Sequence, residues 1–219
     1  AGAHEIAAPL TVISGRAEMM LRGEPDSEAR QRNLGIIVRQ INRITTIVRN
    51  LLDFAKKREL RPVPTDLREA ADLALEFLDG ELVRGGVAAS VEGPRPLLAL
   101  ADPDLLHQVL VNLVLNAIHA MEATERPARL TIRLVPTGSG MAAIEVEDTG
   151  PGLSPELLDS IFQPFFTTKP GGTGLGLVVA RRIAEEHGGR LEAEQTPTGA
   201  RFRVVLPAVE AAPAGVTHG

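Results

Sequence analysis

Apolar residues recur in steps of three and four through the first 57 positions. Ile6, Leu10, Ile13, Ala17 and Met20 trace one stripe. Leu34, Val38, Ile41, Thr45, Val48, Leu52 and Ala55 trace a second, which Ile37, Ile44 and Leu51 widen. That spacing is the signature of amphipathic helices with a heptad-like seam. Gly23, Pro25, Asp26 and Ser27 interrupt it, as a turn followed by a helix N-cap does. The chain therefore opens with a helical hairpin over residues 4 to 57, within a first domain of residues 1–60. Two helices alone cannot bury two wide stripes. A homodimer closing into a four-helix bundle is the economical solution. The competing reading is a hairpin packed on its own C-terminal domain.

Past a basic, proline-containing linker that ends over residues 61–64, the pattern turns to mixed α and β. Asp66 and Glu69 resemble a capping box opening a helix that runs to about Leu78. Val87 to Val91 and Leu97 to Ala101 are candidate strands. Asp102 to Met121 is a long apolar helix, and Arg129 to Val135 and Ala142 to Val146 alternate like strands. Thr173 to His187 reads as a helix stopped by Gly188 and Gly189. A final hairpin follows over Arg190 to Glu194 and Ala200 to Leu206. The fold class is α+β, with a second domain over 65–207. The tail, 208–219, is rich in Ala, Pro and Gly and is expected to be disordered.

Composition narrows the function. Cysteine is absent, which excludes disulfides and thiolate metal sites and fits a cytoplasmic setting. The net charge is -5 and the only aromatics are six Phe, which argues against a nucleic-acid partner. No apolar run is long enough to span a bilayer, so no membrane contact is expected of this stretch. The chain does not begin with Met, and its chemistry starts at once with His4. It is read as a piece of a longer protein, whose upstream part is open to a sensor or a membrane anchor.

Three segments of the second domain carry chemistry. Asn112 and Asn116 lie four apart, so their amides share one face of the long helix. An amide oxygen there could ligate Mg²⁺, although an Asn pair bonded to neighbouring backbone is equally plausible. Asp148-Thr149-Gly150-Pro151-Gly152 follows a strand directly. Its carboxylate could accept an exocyclic amine, and its glycines allow close approach of a ligand. Gly171-Gly172-Thr173-Gly174-Leu175-Gly176 opens a helix, where backbone N–H groups form a natural phosphate site. It lacks the Gly-Lys-Ser/Thr of a Walker A loop. Gln163 to Pro170 ahead of it is loop-like, whereas a dinucleotide fingerprint needs a strand there.

In that order, Asn112–Asn116, Asp148–Gly152, Phe162–Lys169 and Gly172–Gly176 resemble the N box, first glycine box, F box and second glycine box of the histidine-kinase ATPase domain. Gyrase, Hsp90 and MutL share its superfamily. The resemblance implies a Bergerat α/β sandwich: a mixed sheet with helices on one face and ATP between the helices and a lid. It implies Asn116 as the Mg²⁺ ligand, with Asn112 and His119 near the phosphates. Asp148 would bind adenine. Gly150, Gly152, Lys169, Gly172, Thr173, Gly174, Leu175 and Gly176 would line the nucleotide. Gyrase-like members place a Glu at Asn112 to activate water; Asn cannot act as that base. The domain therefore looks suited to protecting ATP for transfer.

His4-Glu5-Ile6-Ala7-Ala8-Pro9-Leu10 resembles the family's H box. A zinc-protease reading fails because H-E-x-x-H would need His at Ala8. With Ile6 and Leu10 inward, His4 lies off the seam, and Pro9 should bend the helix just after it. The resemblance implies a sensor histidine kinase core: autophosphorylation of His4 by ATP with Mg²⁺, Glu5 accepting the imidazole proton, then transfer to an Asp of a response regulator receiver domain. A degenerate ATP-binding interaction module is the alternative. Ala8 stands where relatives carry Asn or Thr to hold a water, which implies weak phosphatase activity. His107 and His187 are expected to be structural, and His218 lies in the tail.

Overall fold

The structure is a computed structural model that describes residues 2–23, 26–55, 59–122, 124, 127–138, 140–169 and 172–209. Within its helices, the side chains of residues 2–6, 42, 43 and 46–55 lie outside that description. The chain divides into two compact units. One is Ala1–Arg58 with Gln163–Leu175; the other is Glu59–Phe162 with Gly176–Gly219.

The first unit is built on α1 (Gly2–Leu21) and α2 (Ser27–Ala55). Gly23, at φ +90°, turns the chain after α1. The Asp26 carboxylate accepts the Glu28 N–H at 3.0 Å and caps α2. Helix α1 runs unbroken through Pro9, which is buried. Inside the hairpin, the Arg16 guanidinium donates to the side-chain oxygen of Asn33 at 3.0 Å, and Asn33 is only 3% exposed. The seam residues behave differently. Leu10 is 49% exposed and Val38 is 54% exposed, and Leu34 and Ile41 are comparably open. Leu10 was expected to point inward; a single hairpin has nothing to cover it with.

The second unit begins with β1 (Val63–Asp66), so Val63 and Pro64, read as the end of the linker, belong to a strand. Pro64 is tolerated there because β1 pairs only with β3 (Leu98–Ala101), in a two-stranded sheet. Asp66 caps α3 (Leu67–Phe77) by accepting from Arg68 N–H at 2.9 Å. The short α4 (Asp79–Gly85), missed by periodicity, ends at Gly86 with φ +62°. Then come β2 (Ala88–Glu92), β3, α5 (Pro103–Met121), β4 (Arg129–Gly138) and β5 (Met141–Asp148). The chain closes with α6 (Pro155–Leu158), α7 (Gly176–Glu186), β6 (Arg190–Gln195) and β7 (Ala200–Pro207). Helix α7 starts three residues later than expected from Thr173.

The main sheet has the order β2-β4-β5-β7-β6, with β2 and β4 parallel and the other pairs antiparallel. Its two faces are chemically opposite. On one, Leu130, Ile132, Leu134, Ile144, Val146, Phe202, Val204 and Leu206 are buried, as are Leu106, Val109, Leu110, Leu113 and Val114 of α5. On the other, Glu92, Arg133, Glu145, Arg203 and Glu192 stand side by side across all five strands. A second row runs Ser90, Thr131, Glu147, Arg201, Glu194. The charges alternate in sign along each row, so cross-strand neighbours attract. Arg133 meets Glu147 at 2.6 Å, and Arg201 reaches Glu147 and Glu194 at 2.8 Å each. This is an α+β fold with helices on one face of a mixed sheet. Two residues of the expected tail are held by backbone hydrogen bonds: Ala208 N–H donates to Gly140 O at 2.8 Å and Val209 N–H to Leu98 O at 3.0 Å. Residues 210–219, with His218, lie outside the described residues.

Candidate nucleotide site and phospho-acceptor helix

Strand alternation decides where Asp148 points. Glu145 and Glu147 take the charged face, so Val146 and Asp148 take the helix face. A carboxylate thus ends a strand in a position where the pattern calls for a core residue, and it is 2% exposed. Burying a carboxylate requires donors. Its Oδ1 accepts Gly150 N–H at 2.8 Å and Ala200 N–H at 3.4 Å, which fixes the orientation of the group.

Gly150 and Gly199 make room for this geometry. A Cβ on Gly150 would lie 2.8 Å from Asp148 Oδ1 and 3.2 Å from Ala120 Cβ of α5. A Cβ on Gly199 would lie 2.1 Å from the Asp148 carbonyl oxygen. Gly152 sits at φ +82° beside the Gln195 amide, which accepts the Leu153 N–H. The neighbouring Thr149 hydroxyl donates to Pro127 O at 2.9 Å and accepts Arg129 N–H at 3.0 Å, tying this turn to the start of β4.

The β6–β7 turn was not foreseen as part of the site. Thr196, buried, accepts Gly199 N–H on its hydroxyl at 3.0 Å and holds Gly199 and Ala200 against Asp148. Its sequence signal is modest: Thr196-Pro197-Thr198-Gly199 reads as a turn, and only the fold brings it under the carboxylate.

Asn112 and Asn116 lie together on one flank of α5, both half-buried, beside the buried stripe of Leu113 and Ala117. Asn112 Nδ2 donates to the carbonyl of Gly176, the first residue of α7, at 3.4 Å. Gly150 packs against α5 at Ala120, one turn beyond Asn116. The second unit thus gathers Asp148, Gly150, Asn112, Asn116 and Gly176 around α5, with Gly152 beside Gln195 of β6. His119 is exposed on the same helix. Arg181 of α7 stacks 5.3 Å over the ring of Phe162.

Lys169, Gly172, Thr173, Gly174 and Leu175 fall in the first unit, in a segment folded on itself. Gly174 O accepts Phe165 N–H at 3.1 Å. Gly174 has φ +62°, and a Cβ there would meet the Phe165 carbonyl carbon at 2.4 Å. Phe165 itself adopts φ +67°. The Thr167 hydroxyl accepts Lys169 N–H at 3.1 Å, and the Thr173 hydroxyl accepts Leu175 N–H at 3.4 Å. His4 and Glu5 lie in the first turns of α1, with Ala8 exposed one turn on. The side chains of His4 and Glu5 lie outside the described residues.

Residues 101–210 match the family model described as histidine kinase-, DNA gyrase B- and HSP90-like ATPase, and residues 3–60 match the His kinase A phospho-acceptor domain. The chain belongs to the histidine kinases. It is 37% identical to the sensor histidine kinase ZraS of Klebsiella oxytoca over 208 residues, 94% of this chain and 44% of that protein. The chain thus spans less than half the length of this curated relative. The crystal structure of histidine kinase ThkA in complex with response regulator protein TrrA superposes with a TM-score of 0.80 at 31% identity, over 94% of this chain and 60% of that one. Full-length histidine kinase ShkA in complex with AMPPNP gives 0.70 at 27% identity, over 95% of this chain and 45% of that one. Among the described residues, no helix is long and apolar enough to cross a membrane.

Proposed function

We propose that this chain is the catalytic core of a two-component sensor kinase, which transfers the γ-phosphoryl group of ATP to His4 and passes it to an aspartate of a response regulator. The observation that carries the reading is Asp148. It is a buried carboxylate held by backbone N–H groups at the helix face of the sheet, among glycines that let the surrounding chain pack closely against it. Adenine offers the exocyclic amine such an acceptor needs. Asn112, Asn116 and the N-terminus of α7 lie toward the phosphate end. The first turn of α7 carries no acidic residue, so its N–H groups favour an anion.

The donor set suits Mg²⁺ modestly. Asn116 offers one hard amide oxygen, and the described residues contain no cluster of three His, Cys, Asp or Glu for a protein-only cage. A magnesium ion would therefore be shared with phosphate oxygens and water, as is usual for nucleotide sites. When bound, it supplies charge neutralisation at those oxygens. Lys169 and Gly172 to Leu175 belong, in this reading, to a lid that lines the nucleotide, and His119 lies near the phosphates.

For the transfer itself, an imidazole nitrogen of His4 forms the N–P bond as the bond from phosphorus to the β,γ-bridging oxygen breaks and ADP leaves. Glu5 takes the proton from the other ring nitrogen. Asn112 in place of a general-base Glu leaves water unactivated, which spares ATP for His4. The exposed seam of Leu10, Leu34, Val38 and Ile41 supports a homodimer closing a four-helix bundle. ZraS is named a sensor histidine kinase and ThkA is seen in complex with the response regulator protein TrrA; by likeness, a receiver domain is the partner here. A cytoplasmic placement of this part fits the absence of cysteine.

Nucleotide binding tests the site. Asp148→Asn turns the acceptor into an amide and should weaken ATP affinity at least about tenfold, some 1.4 kcal/mol. Asn116→Asp should spare binding and impair Mg²⁺-dependent transfer. Unchanged ATP affinity in Asp148→Asn contradicts the reading.

A further inference from the structure

His187 was expected to be structural, yet its hydrogen bonds reach the helix that carries the nucleotide-site asparagines. It follows the last turn of α7 and is 7% exposed. Its Nδ1 lies 2.7 Å from the carbonyl of Ile183, which can only accept, so Nδ1 carries the proton. The unprotonated Nε2 then accepts the backbone N–H of Asp102 at 2.8 Å. Both ring nitrogens are satisfied, and the tautomer follows from the partners rather than from choice.

Asp102 is the residue on which α5 begins. Its Oδ1 caps the helix by accepting the N–H groups of Asp104 at 3.1 Å and Leu105 at 3.3 Å. Its Oδ2 accepts Arg61 N–H at 3.1 Å. The Asp102 N–H lies at the junction of β3 and α5, and an unpartnered donor at such a part-buried place is costly. His187 supplies its acceptor from another helix.

Helices α5 and α7 are therefore joined at two points. At one end, the Asn112 amide holds the Gly176 carbonyl at the start of α7. At the other, His187 at the end of α7 holds the start of α5. The points lie ten residues apart on α5 (102 to 112), about 15 Å at 1.5 Å per residue. Between them the two helices pack against each other, and Val109 of α5 and Val179, Ala180 and Ile183 of α7 are buried. Apolar packing is non-directional and sets the axial register of two helices poorly. Two directional bonds at opposite ends set it well.

We infer that His187 is a positioning residue for the phosphate end of the nucleotide site: it fixes the slide of α7 along α5, and so the place of Gly176 relative to Asn112 and Asn116. The inference rests on the proposed ATP site. The adenine end, built by Asp148 and the β6–β7 turn, does not depend on this register. Loss of the pin should reduce the affinity that the triphosphate adds and leave adenosine binding intact.

The test uses the full chain and two probes, adenosine and ATP with Mg²⁺. His187→Leu removes the acceptor. His187→Gln returns an amide oxygen near the position of Nε2. We expect adenosine affinity within twofold of wild type in both variants, ATP affinity reduced at least fivefold in His187→Leu, and most of that loss restored in His187→Gln. A double-mutant cycle on ATP affinity with Asn112→Ala should be non-additive, because each change undoes the same register. Equal loss of adenosine and ATP affinity, additive effects with Asn112→Ala, or no rescue by Gln would overturn the inference. If His187→Leu does not fold, His187→Gln against Asn112→Ala still decides it: wild-type ATP affinity in His187→Gln is expected, and a fivefold loss contradicts it. Failure of the ATP site itself is distinguishable, since wild type would then bind neither probe.

Discussion

The hairpin and the sheet-containing unit handle the same problem in opposite ways. In the second unit the apolar face of the sheet and the apolar stripe of α5 cover each other, so Leu110, Leu113, Leu130, Ile132 and Ile144 are wholly buried within one chain. The hairpin leaves Leu34, Val38 and Ile41 in solvent and buries a polar side chain, Asn33, instead. Apolar burial contributes roughly 25 cal/mol per Å², and a two-helix hairpin cannot collect enough of it alone. One unit is complete as a folded body; the other is written for a partner surface. That asymmetry suits the proposed kinase, in which the ATP unit is autonomous and the acceptor helices would be assembled by pairing.

The largest expected effect comes from putting charge on the open seam. Val38→Asp combined with Ile41→Asp places four carboxylates in the proposed dimer core, where unpaired buried charge costs several kcal/mol per group. The dimer should dissociate to monomers at micromolar concentration, read by light scattering, while the second unit stays folded. A dimer of unchanged mass would place the interface elsewhere.

Next in size is a core truncation on each side of the comparison. Leu113→Ala should destabilise the second unit by about 2–5 kcal/mol, independent of protein concentration. Val38→Ala should instead lower a hairpin melting temperature that rises with protein concentration, because stability gained by association depends on mass action. Concentration-independent melting of the hairpin would erase the contrast.

A smaller effect concerns the charged face. Partial burial pushes the Glu147 carboxyl up, but hydrogen bonds from Arg201 and Arg133, with their positive charge, outweigh this and hold it below the ordinary value of 4.5. A carboxyl depressed in the folded state contributes stability that is present above its unfolded pKa and lost as pH falls through its folded pKa. The second unit should therefore lose denaturant resistance on acidification below about pH 4.5, and Glu147→Gln should flatten that acid limb. An unaltered pH profile in Glu147→Gln would assign the acid sensitivity to other carboxylates.

Much of this was legible in the chain because periodicity is a local signal. The two helices of the hairpin, α5 and the strands β4 to β7 announce themselves in the residue pattern. Short elements did not: β1 contains Pro64 and has four residues, and α4 has seven, too few for a period to emerge. Asp148 was found by its motif, yet the deeper signal was the phase of β5, where a carboxylate falls on the core side. The roles of Thr196, Gly199 and His187 were invisible because each depends on a contact made only by the fold: Gly199 under Asp148 from 51 residues away in the chain (148 to 199), and His187 on the N-terminus of α5.

The central claim is that His4 receives the γ-phosphoryl group of ATP. The most direct measurement is incubation of the chain with γ-labelled ATP and Mg²⁺, wild type beside His4→Gln, followed by acid and base treatment of the protein. Wild type should take up label that acid releases and base does not, the behaviour of a phosphohistidine, and His4→Gln should take up none. Label that persists in His4→Gln, or that survives acid, would contradict the assignment.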